Sequence, residues 1–500
     1  MNAPLRRVGV VVLVLFGLLF VNLNWVQAYK ADEYRTSPYN GRVQVDEYKR
    51  KRGNIEAGGT SLATSRETDG ELKYLRTYPE GPAYAHVLGY KPVNLGPTGI
   101  EHSENEFLAG TSDQLLGDRV RDLFTGNQTG GANVLLTLSR RAQETAYAQL
   151  IDNRVGATKG AAVAIDPRTG AVQALVSMPS FDPNPLASHD NEQAQATYKK
   201  LEAREDGPLK NRALGEVLPP GSTFKVVVAA AALQNGYTKE TRIPAGPSYR
   251  PPTSGSDIRN AAPGICPESS VTLNQALTES CNTGFAQLGG KLGAETIKNT
   301  ARQFGFEQED LTCGRLDNDG LPVAASRTGD MQNPDGGVDP AALAQSSIGQ
   351  KDVRMTPLQG ALIAAAVANN GRQMRPYLVN KLLGPDRTTT YYTADPRELR
   401  QAISPQVAAD LQSMMRSVVE NGTGGRAQID GYTVGGKTGT AQVGEGEPDH
   451  GWFIGFVMKD GQPISAVAVL LESAGKGGSG EAARITGKIM QAVIRDRGGN

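Results

Sequence analysis

A serine and a lysine stand three residues apart in the segment Pro219-Pro220-Gly221-Ser222-Thr223-Phe224-Lys225, directly before the apolar run 226–233. If this run is helical, one turn separates Ser222 from Lys225, and both side chains lie on the same face. A serine hydroxyl becomes a strong nucleophile when a neighbouring base takes its proton. The pair is therefore a candidate for acyl transfer through a serine ester.

The lysine can serve as that base only when it is uncharged, which requires a pKa well below the usual value. The run 226–233 is apolar on every side, so its helix is expected to be buried all round. The positive potential at the start of a helix also disfavours an ammonium group and favours a serine alkoxide. The predicted surroundings therefore suit the nucleophile and the base together.

The Ser-x-x-Lys pattern is weak evidence by itself, because about one or two copies are expected by chance in a chain of this length. The sequence contains such a copy, Ser473-Ala474-Gly475-Lys476, which continues into further glycines instead of a helix. A serine that caps a helix beside a solvated lysine is the structural alternative for Ser222 and Lys225. Further motifs are needed to decide between the two interpretations.

Two further patterns favour the catalytic interpretation. Ser280-Cys281-Asn282 begins 58 residues after Ser222, and Lys437-Thr438-Gly439-Thr440 begins 157 residues after Ser280. The second pattern occupies a predicted strand that opens with Gly435-Gly436. Small residues there let a substrate backbone approach the strand closely.

The elements that must position these motifs predict an α+β fold. Residues 161–165 and 171–177 flank a turn and predict a hairpin. A second buried helix is predicted over 361–368, opened by Thr356-Pro357. Three strands over 432–442, 451–457 and 464–471, and then a helix over 482–494, close the chain. Helices between an opening hairpin and closing strands indicate an antiparallel sheet covered by helices.

The first 28 residues predict a membrane anchor with a cytoplasmic tip. Arg6-Arg7 precedes the largely apolar stretch 8–26, which is short for a span of about 30 Å. Trp25 and Tyr29 suit the far interface. Because no small-x-small cleavage motif follows, we expect an uncleaved anchor rather than a signal peptide. The paired arginines place the rest of the chain outside the cytoplasmic membrane.

Composition divides the remainder of the chain in two. Residues 29–155 are polar and glycine-rich and predict a small, non-catalytic domain, whereas residues 156–500 predict a compact domain with a large core. Lysine plus arginine equals aspartate plus glutamate, 52 each. This balance excludes nucleic acid as an expected partner.

We expect neither a metal nor a cofactor. The four histidines, His86, His102, His189 and His450, are scattered and are expected to be structural, which argues against a Ser-His-Asp hydrolase. Together with the three cysteines they give no zinc-binding spacing.

The three cysteines are expected in an oxidising compartment, where one disulfide and one remaining thiol would form. Cys266 with Cys281 closes the shortest loop, and Cys313 is the alternative partner. Three buried thiols are the competing possibility. A disulfide at Cys281 would displace Ser280 and Asn282 or make them redox-sensitive.

The order Ser-x-x-Lys, Ser-x-Asn, Lys-Thr-Gly is the signature of penicillin-binding proteins and serine β-lactamases. The chain resembles small class B penicillin-binding proteins of the penicillin-binding protein A type. The resemblance extends to Arg52-Gly53-Asn54-Ile55 and Gly99-Ile100-Glu101, which are similar to motifs of the N-terminal pedestal. It implies a serine β-lactamase-like transpeptidase domain, with an all-helical subdomain, on a small dimerisation-like pedestal.

The resemblance also implies the activity, a peptidoglycan D,D-transpeptidase. Ser222 would attack the penultimate D-alanine of a stem peptide ending in D-Ala-D-Ala, while Lys225 takes its proton. Ser280 would relay a proton to the leaving D-alanine. Asn282 would hold the substrate amide and the lysine side chain.

The Lys-Thr-Gly strand would complete this site. Lys437 would supply positive charge beside Ser280, and the hydroxyls of Thr438 and Thr440, with Gly439 between them, would bind the terminal carboxylate or its β-lactam counterpart. The backbone N–H groups of Ser222 and Thr440 would form the oxyanion hole. The substrate would lie along this strand as an added strand.

The resemblance implies β-lactams as covalent inhibitors, and a lipid-II polymerase and division or elongation proteins as partners. Two alternatives remain open: a D,D-carboxypeptidase, in which water replaces the acceptor amine, and a non-enzymatic β-lactam sensor or division scaffold. No Glu-x-x-Leu-Asn run marks the deacylating glutamate of a class A β-lactamase. The roughly 130 residues before the catalytic domain are too few for a glycosyltransferase domain.

Overall fold

The computed structural model describes residues 2–31, 34, 47–94, 96–115, 117, 130–318, 320–444 and 446–498. Parts of the predicted anchor and pedestal, at residues 1, 32–33, 35–46, 95, 116 and 118–129, lie outside the described residues. The described α-helices are, in chain order, α1 (Asn2–Asn24), α2 (Ala85–Leu88), α3 (Gly99–Ser103), α4 (Asn105–Ala109), α5 (Arg140–Ile151), α6 (Asn191–Glu202), α7 (Arg212–Gly215), α8 (Lys225–Gln234), α9 (Leu273–Thr278), α10 (Asn282–Leu292), α11 (Ala294–Gln303), α12 (Pro340–Ser346), α13 (Pro357–Ala368), α14 (Pro405–Asn421) and α15 (Gly478–Arg497). The described strands are β1 (Ile55–Ala57), β2 (Thr60–Glu67), β3 (Tyr74–Thr77), β4 (Asn133–Leu136), β5 (Gly160–Ile165), β6 (Val172–Met178), β7 (Arg242–Pro244), β8 (Ser248–Tyr249), β9 (Ile258–Arg259), β10 (Ser270–Thr272), β11 (Thr312–Cys313), β12 (Leu321–Pro322), β13 (Arg372–Met374), β14 (Val379–Leu383), β15 (Thr390–Thr393), β16 (Glu398–Gln401), β17 (Thr433–Ala441), β18 (His450–Lys459) and β19 (Gln462–Leu471).

The central sheet has five antiparallel strands in the order β17-β18-β19-β5-β6. Alternate residues of β5 enter opposite cores, Ala161 and Val163 on one face and Ala162 and Ala164 on the other. Helix α13 covers one face, while α5 and α15 cover the other. Since both faces are buried, β5, β18 and β19 are apolar over most of their length. The predicted hairpin and antiparallel sheet are confirmed. Strand β17 is left at the sheet edge.

Two apolar helices pack as predicted. All residues of α13 are buried, and the Thr356 side chain accepts a hydrogen bond from the Gln359 N–H at its start, which is an N-cap. Helix α8 begins at Lys225 rather than at Ser222. Ser222 lies in the preceding 3-10 turn, Gly221–Phe224, so the serine is in a tighter turn than predicted.

The N-terminal part contains a six-stranded sheet in the order β15-β14-β4-β1-β2-β3. Strands β14 and β15 come from residues 379–393, far beyond the sequence boundary drawn at residue 155. Conversely, α5 precedes that boundary but packs on β6 and α15 of the second domain. The two domains therefore exchange elements across the boundary that composition suggested.

A buried ion cluster joins two of the pedestal motifs. Glu101 is fully buried, and its carboxylate accepts hydrogen bonds from Arg52 Nε at 2.7 Å and Arg76 Nε at 2.5 Å. The hydroxyl of Tyr78 donates to the same carboxylate. The two arginines lower the pKa of Glu101 against the opposing effect of burial. This carboxylate therefore stays charged in the core of the pedestal.

The N-terminal helix is the one described helix long and apolar enough to cross a membrane. Its apolar segment runs over Arg6–Tyr29 with a mean hydropathy of 2.3, and none of it is buried against the rest of the protein. A π-helical turn, Trp25–Tyr29, extends α1, so the span is longer than the apolar run alone.

We expect Glu101→Ala to destabilise the pedestal strongly. The substitution leaves Arg52 and Arg76 buried without their shared anion, which costs about 3–5 kcal/mol for a broken buried ion pair. Urea unfolding followed by circular dichroism should show a lower midpoint than for the exposed control Glu71→Ala. Equal midpoints would mean that the cluster does not hold the pedestal together.

Candidate active site

Close backbone contacts place the Ser222 turn against β17. Gly221 has φ +53°, and a β-carbon added there would lie 2.3 Å from the carbonyl oxygen of Thr440. A β-carbon on Gly439 would lie 2.5 Å from the carbonyl oxygen of Pro220. Both positions therefore require glycine. These contacts bring the partly exposed Ser222 beside the Lys-Thr-Gly strand.

The amine of Lys225 is fully buried. Its Nζ donates hydrogen bonds to the Ser280 carbonyl oxygen at 2.8 Å and to Asn282 Oδ1 at 2.7 Å. Ser280 Oγ lies 3.4 Å away, and the ring of Phe285 lies 5.6 Å from the amine. The first and second motifs are thus joined through one lysine side chain.

The amine of Lys437 reaches the same serine from the other side. Lys437 Nζ donates to Ser280 Oγ at 2.9 Å and to the Thr438 carbonyl oxygen at 3.1 Å. Like Lys225, Lys437 is fully buried. The hydroxyl of Ser280 therefore lies between two amines, which is the geometry of a proton relay.

Burial sets the charge of these two lysines. Desolvation lowers the pKa of Lys225 to about 7. Desolvation and then repulsion from Lys225 hold the pKa of Lys437 well below its usual value. Since charging one amine opposes charging the other, the pair holds one proton more readily than two. Either amine can therefore accept a proton more readily while its neighbour is uncharged.

Ser280 has a strained backbone, with φ +66°. Non-glycine residues rarely adopt this left-handed conformation, and such strain is often found at functional sites. It turns the Ser280 carbonyl towards Lys225 and its hydroxyl towards Lys437. Asn282, two residues later, is the first residue of α10.

The three cysteines are buried free thiols in the structure, Cys266, Cys281 and Cys313. A bridge from Cys281 to Cys266, or to Cys313, therefore stays a prediction. Cys266 and Cys281 do lie together, since their thiols share a hydrogen bond. Cys313 lies on β11 in a separate two-stranded sheet. Ser280 and Asn282 hold their positions without a covalent link.

Three side chains at the site were not predicted to contribute. Thr423 Oγ1 lies 2.5 Å from Thr438 Oγ1, Ser479 Oγ accepts from Thr440 Oγ1 at 3.4 Å, and Gln350 Nε2 donates to the Thr440 carbonyl oxygen at 3.4 Å. The glycine-rich run around Thr423, just before β17, was a usable sequence signal. Ser479 also stands in a glycine-rich run, residues 475–480, but only the fold brings the start of α15 to β17.

The predicted site residues thus come together in one place. Ser222 lies beside β17, Lys225 and Lys437 both contact Ser280, and Thr438, Gly439 and Thr440 continue along the same edge strand. Within the described ranges, no group of histidine, cysteine, aspartate or glutamate side chains could hold a metal ion.

Comparisons with known proteins match this geometry. The family model for the penicillin binding protein transpeptidase domain matches residues 160–491, and that for the penicillin binding protein A dimerisation domain matches residues 52–134. The peptidoglycan D,D-transpeptidase PbpA of Mycolicibacterium smegmatis is 41% identical over 498 residues, covering 99% of this chain and 98% of the relative. PbpA of Mycobacterium tuberculosis is equally similar, also 41% identical over 498 residues.

Solved structures agree with the sequence comparisons. The ceftriaxone acyl-enzyme complex of penicillin-binding protein A from M. tuberculosis superposes with a TM-score of 0.83 at 41% identity, covering 90% of this chain and 100% of that chain. The imipenem acyl-enzyme complex of the same protein gives a TM-score of 0.82. The fold and its edge-strand site are those of a serine acyl-transferase. The chain belongs to the penicillin-binding protein transpeptidases, and within them to the penicillin-binding protein A type, which confirms the resemblance seen in the sequence.

The acylation rate is expected to rise with pH through neutrality. Burial lowers the pKa of Lys225 to about 7, and only the uncharged amine can take the Ser222 proton, so the active form accumulates above that pH. The acylation rate can be measured by stopped flow with a fluorescent penicillin from about pH 5 to about pH 9. A plot of the logarithm of the rate against pH should rise with a slope near one below the pKa of Lys225. A rate that is flat or falls across this range would contradict the role of Lys225 as the base.

Proposed function

We propose that Ser222 is the acyl-carrying nucleophile of this peptidoglycan D,D-transpeptidase, with Lys225, Ser280 and Lys437 as its proton-transfer groups. The observation that carries the proposal is the hydroxyl of Ser280 between two buried amines. A solvated lysine beside a capping serine would show none of this burial. The interpretation of Ser222 and Lys225 as a plain helix start is therefore disfavoured.

The first half-reaction forms an ester on Ser222. Ser222 Oγ attacks the carbonyl carbon of the penultimate D-alanine, and the hydroxyl proton moves to Lys225 Nζ. The backbone N–H groups of Ser222 and Thr440 stabilise the oxyanion. When the C–N bond breaks, the proton reaches the leaving D-alanine nitrogen through Ser280 Oγ.

The second half-reaction transfers the acyl group to an amine. The amine of a second stem peptide attacks the ester carbon, its proton passes to Lys225, and the C–O bond to Ser222 breaks with return of the proton to Oγ. Asn282 holds the donor amide, while Lys437, Thr438 and Thr440 bind its terminal carboxylate, with Gly439 allowing close approach. β-Lactams enter the same path and stop at the ester.

In this proposal the catalytic domain lies outside the cytoplasm and is held at the membrane by the N-terminal helix. Residues 1–28 form the cytoplasmic tip and single membrane anchor, residues 29–155 the pedestal, and residues 156–500 the transpeptidase domain, apart from β14 and β15, which complete the pedestal sheet, and α5, which packs on the transpeptidase domain. The apolar helix over Arg6–Tyr29 supports the anchor, and Arg6-Arg7 on its N-terminal side supports an extracytoplasmic catalytic domain.

Protein partners are proposed on family resemblance together with the accessible pedestal. A lipid-II polymerase would supply glycan strands, and elongation or division proteins would recruit the pair. We assign these contacts to the anchor and the pedestal, which lie outside the catalytic cleft.

Ser222→Ala is expected to abolish covalent labelling by a fluorescent penicillin. The full-length chain in detergent should gain the mass of one opened β-lactam on the tryptic peptide 213–225, which carries Ser222. Ser473→Ala is the matched control, because it alters the decoy Ser-x-x-Lys segment, and it should label like the wild type. Labelling that survives Ser222→Ala would place the nucleophile elsewhere.

Cross-linked products are expected to exceed trimmed ones when an acceptor is present. The hydrogen-bond partners described for Lys225 and Lys437 are oxygens of Ser280, Asn282 and Thr438, none of them a carboxylate. An acceptor amine is a stronger nucleophile than water, so it should capture the acyl group first. Mass spectrometry of products from a defined donor peptide, with and without an acceptor amine, would measure this ratio. Predominantly trimmed donor at saturating acceptor would make the enzyme a D,D-carboxypeptidase.

A further inference from the structure

A short hairpin borders the second motif of the site. Strands β8 and β9 pair with each other, and the residue after β9 is Asn260. Neither the hairpin nor Asn260 takes part in the proposed steps of acyl transfer. Yet Asn260 and its neighbour Arg259 form several hydrogen bonds with the first residues of α10.

The side chain of Asn260 caps α10 from outside the helix. Asn260 Oδ1 accepts hydrogen bonds from the backbone N–H groups of Asn282, at 2.8 Å, and Thr283, at 3.2 Å. The local N-cap residue of α10 is Cys281, whose side chain makes no cap hydrogen bond. Without Asn260, these first N–H groups of the helix would lose their acceptor.

The side-chain nitrogen of Asn260 holds the two ends of the hairpin segment together. Nδ2 donates to the Gly246 carbonyl oxygen at 3.1 Å and to the Ile265 carbonyl oxygen at 2.8 Å. The Thr283 hydroxyl donates to the same Gly246 oxygen at 2.7 Å. Asn260 therefore links both ends of the 246–265 segment to the start of α10.

The backbone next to Asn260 fixes the Asn282 side chain. The Arg259 carbonyl oxygen accepts from Asn282 Nδ2 at 2.9 Å, while Lys225 Nζ donates to Asn282 Oδ1 at 2.7 Å. An amide held at its oxygen by a donor and at its nitrogen by an acceptor has one orientation. The second Nδ2 hydrogen remains for a substrate carbonyl.

The hydrogen bonds of Asn260 lie close to Ser280, whose backbone conformation is strained. Ser280 has φ +66°, and such strain persists only where the surroundings enforce it. Lys225 holds the Ser280 carbonyl on one side. Asn260 holds the backbone two residues later, so the strained turn is fixed at both ends.

We propose that Asn260 is a positioning residue for acyl transfer, which holds Ser280 and Asn282 in their reactive geometry by capping α10 and by placing the Arg259 carbonyl on the Asn282 amide. The inference rests on the proposed roles of Ser280 and Asn282. Asn260 itself touches no reacting atom, so its effect passes entirely through these two residues.

The test is acylation of the full-length chain in detergent by a fluorescent penicillin. Asn260→Ala should lower the limiting acylation rate at saturating penicillin by up to about a hundredfold, because a misplacement of about 1 Å has an effect of that order, while the half-saturating concentration changes little. Asp190→Ala is the matched control. Asp190 caps α6 through the Gln193 N–H, and its loss should leave the rate unchanged.

Asn260→Asp gives a readout that a merely structural role would not move. The variant keeps the acceptor for α10 but adds a negative charge next to Asn282, the residue that accepts a hydrogen bond from Lys225. The other neighbours of Lys225 are Lys437, Cys266 and Cys281. A nearby anion favours the ammonium form, so the acid limb of the acylation rate should shift to higher pH. Because aspartate cannot donate to the Gly246 and Ile265 carbonyls when ionised, circular dichroism should confirm that each variant is folded before its rates are compared.

The outcomes separate the two proposals. Wild-type limiting rates in a folded Asn260→Ala variant, or an unmoved acid limb in Asn260→Asp, would overturn the role of Asn260 while Ser222 keeps its own. Labelling of Ser222→Ala would overturn the proposed function itself. Slow acylation in Asn260→Ala with a shifted limb in Asn260→Asp would support the inference.

Discussion

The desolvation of the Lys225 amine is the constraint on which the site depends. The amine is fully buried with a carbonyl and an amide oxygen as its acceptors, and no carboxylate pairs with it among the described residues. A buried cation without an anion is costly, so the protein favours the neutral base. Lys437 is equally buried beside Ser280, and both its burial and its repulsion from Lys225 oppose its own ammonium form. The reactivity proposed for Ser222 thus follows from the burial of Lys225.

The edge position of β17 explains how a substrate reaches this buried pair. The sheet must bury both faces to be stable, and helices α5, α13 and α15 do so, which leaves the free edge as the open approach. Gly221 and Gly439 then let the nucleophile turn touch the strand, which side chains would prevent. An extended peptide can therefore pair with β17 and meet Ser222 at the same point.

Local sequence patterns predicted many helices and strands of the fold. The features that these patterns missed depend on pairings between residues far apart in the chain. The apolar runs at α8 and α13, the hairpin of β5 and β6 and the closing strands follow from periodicity and turn residues, which are encoded within a few positions. The exchange of β14 and β15 into the pedestal sheet involves partners more than 200 residues apart, for which no local signal exists. The bridge between Cys266 and Cys281, predicted from compartment and loop length, stays a prediction, since the structure places the two as free thiols side by side.

The second motif shows why an active site draws on distant residues. Cysteine at the N-cap position of α10 makes no cap hydrogen bond with its side chain, yet the motif needs Ser280 and Asn282 on either side of it. The helix N–H groups must still be satisfied, so an acceptor has to come from elsewhere in the chain, and Asn260 provides it. Because the same side chain ties down the adjoining loop, the motif gains rigidity as well as a cap. Since the helix start is satisfied by a residue that takes no part in proton transfer, the polar atoms of Asn282 are left for the lysine, the hairpin carbonyl and the substrate.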